Sequence, residues 1–299
     1  MRDLSSAAIG AAVSGAALAM LGRKPNAPRA MRSALWGCAS LGAAVALNEL
    51  TGKPVPFLRW SFLRLFLGRS PRTGWQAGDG REEALAVHVM RHARQADPDD
   101  AIRVIDDFSR QHSFMINIGD NKGQILDRAI QRTQPRRLLE LGTYCGYSAL
   151  RMARVMPSDA HLYSIEFNPA NAAIARRIWD HANIGDRVTV IVGHLGDGGS
   201  TLHRLRAEHG FTDGGLDFVF LDHDKSAYLP DLQRIVDERW LHPGSVVVAD
   251  NVRVPGAPEY RAYMHQEEGK SWHTREHRAH LEYQSMIRDL VLESDYLQG

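Results

Sequence analysis

The run LDFVFLDHDKSAYLPD, residues 216–231, passes from an apolar stretch directly into Asp222, His223, Asp224 and Lys225. A strand that apolar is buried on both faces of a parallel sheet, and ligands of open α/β sheets gather at the carboxyl ends of such strands. Charge placed there is costly unless it meets a metal, a counter-charge or a substrate. A second apolar run, SVVVADN at 245–251, ends in Asp250 and Asn251. Two carboxylates and an amide oxygen on neighbouring strands suit a hard cation such as Mg²⁺, which keeps positions for water or substrate oxygens. Lys225, three residues past Asp222, could take a proton from a hydroxyl held at that spot. The plain alternative is a lone Asp222–Lys225 salt bridge, which leaves Asp250–Asn251 without a purpose.

Two more strand ends carry polar chemistry. LLELGTYCGYSALRMA, 138–153, reads as strand, glycine turn and helix start, with Glu140 two residues before Gly142 and with Gly146 in the turn. Glycines there let backbone N–H groups approach a cofactor. The spacing is not the dinucleotide GxGxxG, which disfavours a nicotinamide-dependent reductase, and the nearby acid fits a neutral or cationic cofactor better than a pyrophosphate. Glu166 ends SIEFN, where a carboxylate can accept hydrogen bonds from ribose hydroxyls; an exposed strand-end glutamate is the bland alternative.

The elements that must position these groups follow from periodicity. Helices are expected over 81–96, 99–114 and 120–132, the second with an apolar stripe of Ile102, Val104, Ile105 and Phe108. Strands at 136–142, 161–168, 188–193, 216–222 and 245–251 are set among helical segments, among them 147–155 and 168–183. Repeated βαβ units predict an α/β domain with a mostly parallel, doubly wound sheet. A helix near 257–267 and polar-alternating segments near 271–280 and 285–293 predict a closing antiparallel pair.

The first eighty residues are different. They hold ten Lys/Arg against three Asp/Glu, while the remainder holds 26 against 32, an asymmetry hidden in a net charge of +1. That balance gives no global signal for nucleic acid. Residues 4–22 and 33–48 are uncharged and rich in Ala and Gly, each marginal against the roughly 20 apolar residues that span a bilayer. FLRWSFLRLFLGR, 57–69, has the composition of an interfacial helix. Membrane association through residues 4–69 is expected, with packing on a soluble body and cleaved export as alternatives. PRTGWQAGDG at 71–80 is a linker by composition, so the chain divides into 1–80, an anchor-like segment, and 81–299, a regular α/β domain. The two cysteines, Cys38 and Cys145, make neither a disulfide framework nor a zinc site.

MINIGDNKGQILD at 115–127, LLELGTYCGYSALRMAR at 138–154, the acid of SIEFNP, FVFLDHDKSAYLPD at 218–231, VVVADNVRVPGAP at 246–258 and HLEY at 280–283 together resemble the catechol O-methyltransferase family, and they cover nearly all of 81–299 in order. The resemblance implies a seven-stranded, Rossmann-like class I methyltransferase sheet, S-adenosylmethionine and Mg²⁺ as cofactors, and a catechol-type small molecule as substrate. It implies Asp222, Asp250 and Asn251 as metal ligands, Lys225 as general base and Glu282 as acceptor of a hydrogen bond from the second hydroxyl. Ile116, Ile118, Gly142, Tyr144 and Ser148 would surround the methionine part and Glu166 the ribose, with Glu140, Gly146, Phe167, Asp222 and His223 completing the cofactor set. Phe114, Pro255 and Leu281 would wall the ring, beside Lys225, Asn251 and Glu282. The family includes membrane-anchored forms, which implies a catalytic domain held at a membrane on the cytoplasmic side.

Three positions depart from the family pattern. Phe114 replaces a common tryptophan, Asp224 replaces a tryptophan beside the adenine, and GHLGD at 193–197 replaces a serine–glutamine pair. Alternatives for function are an acceptor that is another vicinal diol, such as a caffeoyl ester or a flavonoid, or a non-catalytic, membrane-tethered cofactor-binding module.

Overall fold

The computed structural model describes residues 78–283 and 287–298. The stretch expected to meet a membrane, residues 4–69, lies outside the described residues, and no helix among those described is long and apolar enough to cross a bilayer. Of the two units into which the chain divides, the second, residues 80–111 with 115–299, is compact and holds the elements below, and residues 78–79 and 112–114 belong to the first.

The second unit opens with three helices, α1 (Arg81–His92), α2 (Pro98–Gln111) and α3 (Gly119–Thr133). Strands and helices then alternate as β1 (Arg137–Leu141), α4 (Tyr147–Val155), β2 (His161–Glu166), α5 (Pro169–His181) and β3 (Val188–Val192). They continue as α6 (Ser200–His209), β4 (Leu216–Leu221), α7 (Tyr228–Asp237), β5 (Leu241–Ala249), α8 (Pro258–Gln266), β6 (Trp272–His280) and β7 (Arg288–Tyr296). The sheet order is β3-β2-β1-β4-β5-β7-β6; β1 to β5 pair in parallel, and β7 runs antiparallel to β5 and β6.

Alternation along each strand builds two cores. Leu138, Leu162, Phe218, Phe220, Val246 and Val248 pack on the face covered by α1 to α5. Leu139, Ile165, Val219, Leu221, Val247 and Leu292 pack under α6, α7 and α8. Phe218 and Phe220 are fully buried, each worth roughly 1.5–3 kcal/mol over an exposed side chain. With both faces covered, β4 reads as an unbroken apolar run. β6, at the edge, instead exposes His273, Glu276 and Arg278.

The expected elements shift in informative ways. β2 stops at Glu166 because Asn168 caps α5, its side-chain oxygen accepting from Ala170 N at 2.9 Å with Pro169 in the first turn. β7 sits three residues later than the expected 285–293, over 288–296. α1 ends at His92 rather than 96, and Ala96 adopts φ 57° in the turn that follows.

Candidate active site

β4 and β5 are hydrogen-bonded neighbours with Leu221 in register with Ala249, so Asp222 and Asp250 leave the sheet side by side. Asn251 follows with φ 54°, a left-handed conformation that Asn tolerates, as the chain enters the helical turn Val252–Gly256. Lys225 lies on the short turn Lys225–Ala227 and donates to Asp222 Oδ1 at 2.9 Å and to the Tyr228 hydroxyl at 2.7 Å. Tyr228 itself is buried and bonded to the carbonyls of Leu221 (2.7 Å) and Asp250 (3.1 Å), which fixes both strand ends relative to the lysine. Burial pushes the Tyr228 hydroxyl pKa up, so it stays a donor.

Asp250 is fully buried. Its Oδ2 lies 2.8 Å from Lys122 Nζ without hydrogen-bond geometry, and its Oδ1 has no hydrogen-bond partner. Lys122 comes from the buried side of α3 and also meets Glu282 and, at 3.1 Å, Asp289 Oδ2. Burial opposes its charge, but Asp250, Glu282 and Asp289 outweigh that and hold the ammonium above the ordinary lysine range. Asn251 Nδ2 donates to Glu282 Oε1 (3.0 Å) and Asp289 Oδ2 (2.8 Å), which leaves its oxygen as the atom to offer a cation. Desolvation first, then the charges of Asp222 and Glu282, push the Asp250 carboxyl pKa upward despite Lys122. Among the described residues, no group of three or more His, Cys, Asp or Glu is placed to hold a metal ion; the expected set contains only two carboxylates beside an amide.

Glu282 sits on the connection between β6 and β7, closed by Leu281 N donating to Ile287 O at 2.9 Å. The next residue pins that connection, since Tyr283 OH donates to Asp106 Oδ1 (2.9 Å), which also accepts from Tyr147 OH (2.8 Å). Pro255 is exposed, after a cis Val254–Pro255 bond, and Leu281 is half-buried. Phe114 belongs to the first unit.

The glycine turn is shaped by close approach. Gly142 has φ 105°, and a Cβ there would stand 2.6 Å from the carbonyl oxygen of Asp222, so only glycine lets β1 and β4 end this close together. Gly146, φ 82°, precedes α4 and accepts from Trp179 Nε1 at 2.9 Å. Glu166 Oε2 accepts from Tyr144 N (2.8 Å) and Oε1 from Asn168 N (2.9 Å), so the carboxylate is aimed before any ligand arrives. Glu140 is fully buried and accepts from Ser148 and Ser164; burial outweighs those bonds and pushes its pKa up to about 7. His223 stacks on Tyr228 and bonds Asp231 through Nε2 at 3.0 Å, while its buried Nδ1 has no partner. Ile118 is buried, Ile116 partly so, and Phe167 is 58% exposed, one of two exposed large hydrophobics among the described residues.

An O-methyltransferase family model matches residues 99–267, more than half of the chain. A probable O-methyltransferase of Mycobacterium tuberculosis is 59% identical over 229 residues, covering 77% of this chain and 97% of that protein. The chain belongs to the O-methyltransferase family. A bovine catechol O-methyltransferase is 42% identical over 187 residues, covering 62% of this chain and 67% of the relative. The fold is shared with a Streptomyces achromogenes O-methyltransferase involved in tomaymycin synthesis and solved with S-adenosylmethionine: TM-score 0.54, 21% identity, 67% of this chain and 90% of that one. By family and fold this is a class I, S-adenosylmethionine-dependent O-methyltransferase, acting on a hydroxyl of a small molecule.

Within this O-methyltransferase, Lys122 and Asp289 are polar groups the sequence reading did not single out. A signal existed: on α3, Lys122 shares the buried side with Gly119, Gly123 and Leu126. The departures from the family pattern are locally self-contained. Asp224 is exposed and caps its turn by accepting from Ser226 N (2.9 Å) and Oγ (2.7 Å), and Asp197 caps α6 through Thr201 N (3.1 Å) and Oγ1 (2.6 Å).

Proposed function

We propose that the chain transfers a methyl group from S-adenosylmethionine to one hydroxyl of a catechol-type substrate, with Mg²⁺ held by Asp222, Asp250 and Asn251. The observation that carries this is a charge imbalance. Asp222, Asp250, Glu282 and Asp289 meet only two ammonium groups, Lys122 and Lys225, and Asp250 Oδ1 is buried without a hydrogen bond. Such an excess of buried negative charge is what a divalent cation offsets. The donor set is all oxygen, as a hard cation requires.

When bound, S-adenosylmethionine supplies an electrophilic methyl group, and Mg²⁺ supplies a template for two vicinal oxygens and a Lewis acid that eases loss of the hydroxyl proton. Lys225 would receive that proton in its neutral amine form, held in place by Tyr228. Glu282, fixed by Lys122 and Asn251, accepts a hydrogen bond from the second hydroxyl and so sets which oxygen faces the methyl. Pro255 and Leu281 form apolar walls that fix the ring's approach and keep out water. Glu166 holds the ribose, while Gly142, Gly146, Tyr144, Ser148, Ile116 and Ile118 line the methionine end. Glu140 stays a hydrogen-bonded support below it, and Phe167 and His223 flank the base. Residues 4–69 would tether this domain to a bilayer, and fractionation of the full chain beside a chain starting at Arg81 checks that.

The test is methyl transfer from S-adenosylmethionine, followed by mass spectrometry, to catechol, a caffeoyl ester and a flavonoid diol, with Mg²⁺ and with EDTA. Product from catechol that requires metal supports the reading. Product only from the larger diols moves the substrate, and cofactor binding without product from any diol contradicts it.

A further inference from the structure

The catalytic unit spends its arginines closely. Arg132, Arg151, Arg154, Arg206 and Arg234 each meet a carboxylate, and Arg137, Arg176 and Arg187 meet backbone carbonyls. Against that pattern, Arg91, Arg128, Arg239, Arg253, Arg278 and Arg288 are exposed, and among the described residues none of their side chains makes a hydrogen bond or ion pair. Three of these, Arg253, Arg278 and Arg288, belong to one corner of the fold. Arg253 is on the turn that follows Asn251, and Arg288 opens β7 directly opposite His280, the last residue of β6. Arg278 lies two residues before His280 and so on the same face of the strand, the face whose Glu276 pairs with Arg261 of α8. A hydrogen bond from Val254 N to Asp289 Oδ1, 3.0 Å, ties the two segments together one residue from Arg253 and one from Arg288.

This corner adjoins the expected ring walls. Arg253 is two residues before Pro255, and His280 and Arg288 flank the connection that carries Leu281 and Glu282. Three neighbouring acids are already committed, while Glu259 at the start of α8 is exposed and unpaired among the described residues. Asp289 and Glu282 serve Lys122 and Asn251, and Glu276 serves Arg261 and His265. The connecting sequence LEYQSMI brings no acid besides Glu282. A neutral catechol gives these cations nothing to do, and unpaired like charges gathered at one rim repel each other.

We propose that Arg253 and Arg288, reinforced by Arg278, select a catechol whose side chain ends in a carboxylate, met at the pocket rim as the diol enters. The proposal rests on the catechol reading above. An arginine fork matches a carboxylate in two-point geometry, and attraction at an exposed rim acts on capture of the substrate more than on turnover.

The experiment compares kcat/KM for 3,4-dihydroxybenzoate and for its methyl ester, which keep the same ring and diol, using the full chain with S-adenosylmethionine and Mg²⁺. The native enzyme is expected to favour the acid by about tenfold, two exposed pairs each contributing a few-fold, and to lose that preference as salt rises. Arg253→Ala with Arg288→Ala brings the ratio toward one, chiefly through KM, and Arg288→Glu turns it against the acid. Equal use of acid and ester by the native enzyme would overturn the proposal, as would variants that slow both substrates alike. Methylation of the ester without preference sinks this proposal alone, whereas no methylation of either diol sinks the catechol reading with it.

Discussion

α3 and β7 face each other twice, and the two meetings have opposite electrostatics. At the outer end Arg132 bonds Glu293 at 2.6 Å and Asp295 at 2.7 Å, with Arg275 adding positive charge and His277 a hydrogen-bonding imidazole from β6. Burial raises the Glu293 pKa, but the bonds from His277 and Arg132 outweigh it and hold the value at about 2. At the inner end Lys122 faces three carboxylates, and the Asp250 carboxyl is pushed the other way. One end is a completed ion network that stabilises the fold. The other is left with surplus charge, as a site that awaits a ligand should be.

Breaking the inner end at the base should have the largest effect. Lys225→Ala is expected to lower kcat by roughly 10²–10⁴, with S-adenosylmethionine affinity nearly unchanged by calorimetry. Unchanged turnover would remove Lys225 from the role of base.

The next effect is on stability. Lys122→Met leaves buried carboxylates without their counter-charge and should cost about 3–5 kcal/mol in chemical denaturation, with part of the loss restored by millimolar Mg²⁺. Arg132→Met, at the partly exposed outer end, should cost about 1 kcal/mol or less. Equal losses would erase the distinction between the two ends.

The pH dependence separates them further. Glu293 has its folded pKa depressed, so its contribution is present above about pH 4.5 and is lost as pH falls toward 2, on the order of 3 kcal/mol. Glu293→Gln should flatten that acid limb. Glu140 is the reverse case. Its pKa is raised to about 7, so the folded state holds the proton longer and stability declines as pH rises from about 4.5 to 7. Glu140→Gln should remove that decline, read from denaturation midpoints across the range.

Much of this was legible in the sequence because it depends on local pattern. The apolar runs of β4 and β5 show both strands, and their adjacency in a doubly wound sheet brings Asp222 and Asp250 together. The glycine turn and Glu166 follow from the same logic. Lys122 was harder, because a lysine on an amphipathic helix reads as solvated. Its burial is decided by Glu282 and Asp289, 160 and 167 positions away. The register of β7 was misplaced by three residues for a related reason: Ser294 is fully buried and Asp289 and Glu293 nearly so, and their polar pattern imitates an exposed strand.

Calorimetric titration with Mg²⁺ tests the proposed cation site at Asp222 and Asp250. The native chain should bind one ion per molecule and release protons as it does so, since the buried carboxyl must ionise fully, and Asp250→Asn should lose both signals. Absence of saturable binding by the native chain, or binding that survives Asp250→Asn unchanged, would contradict it.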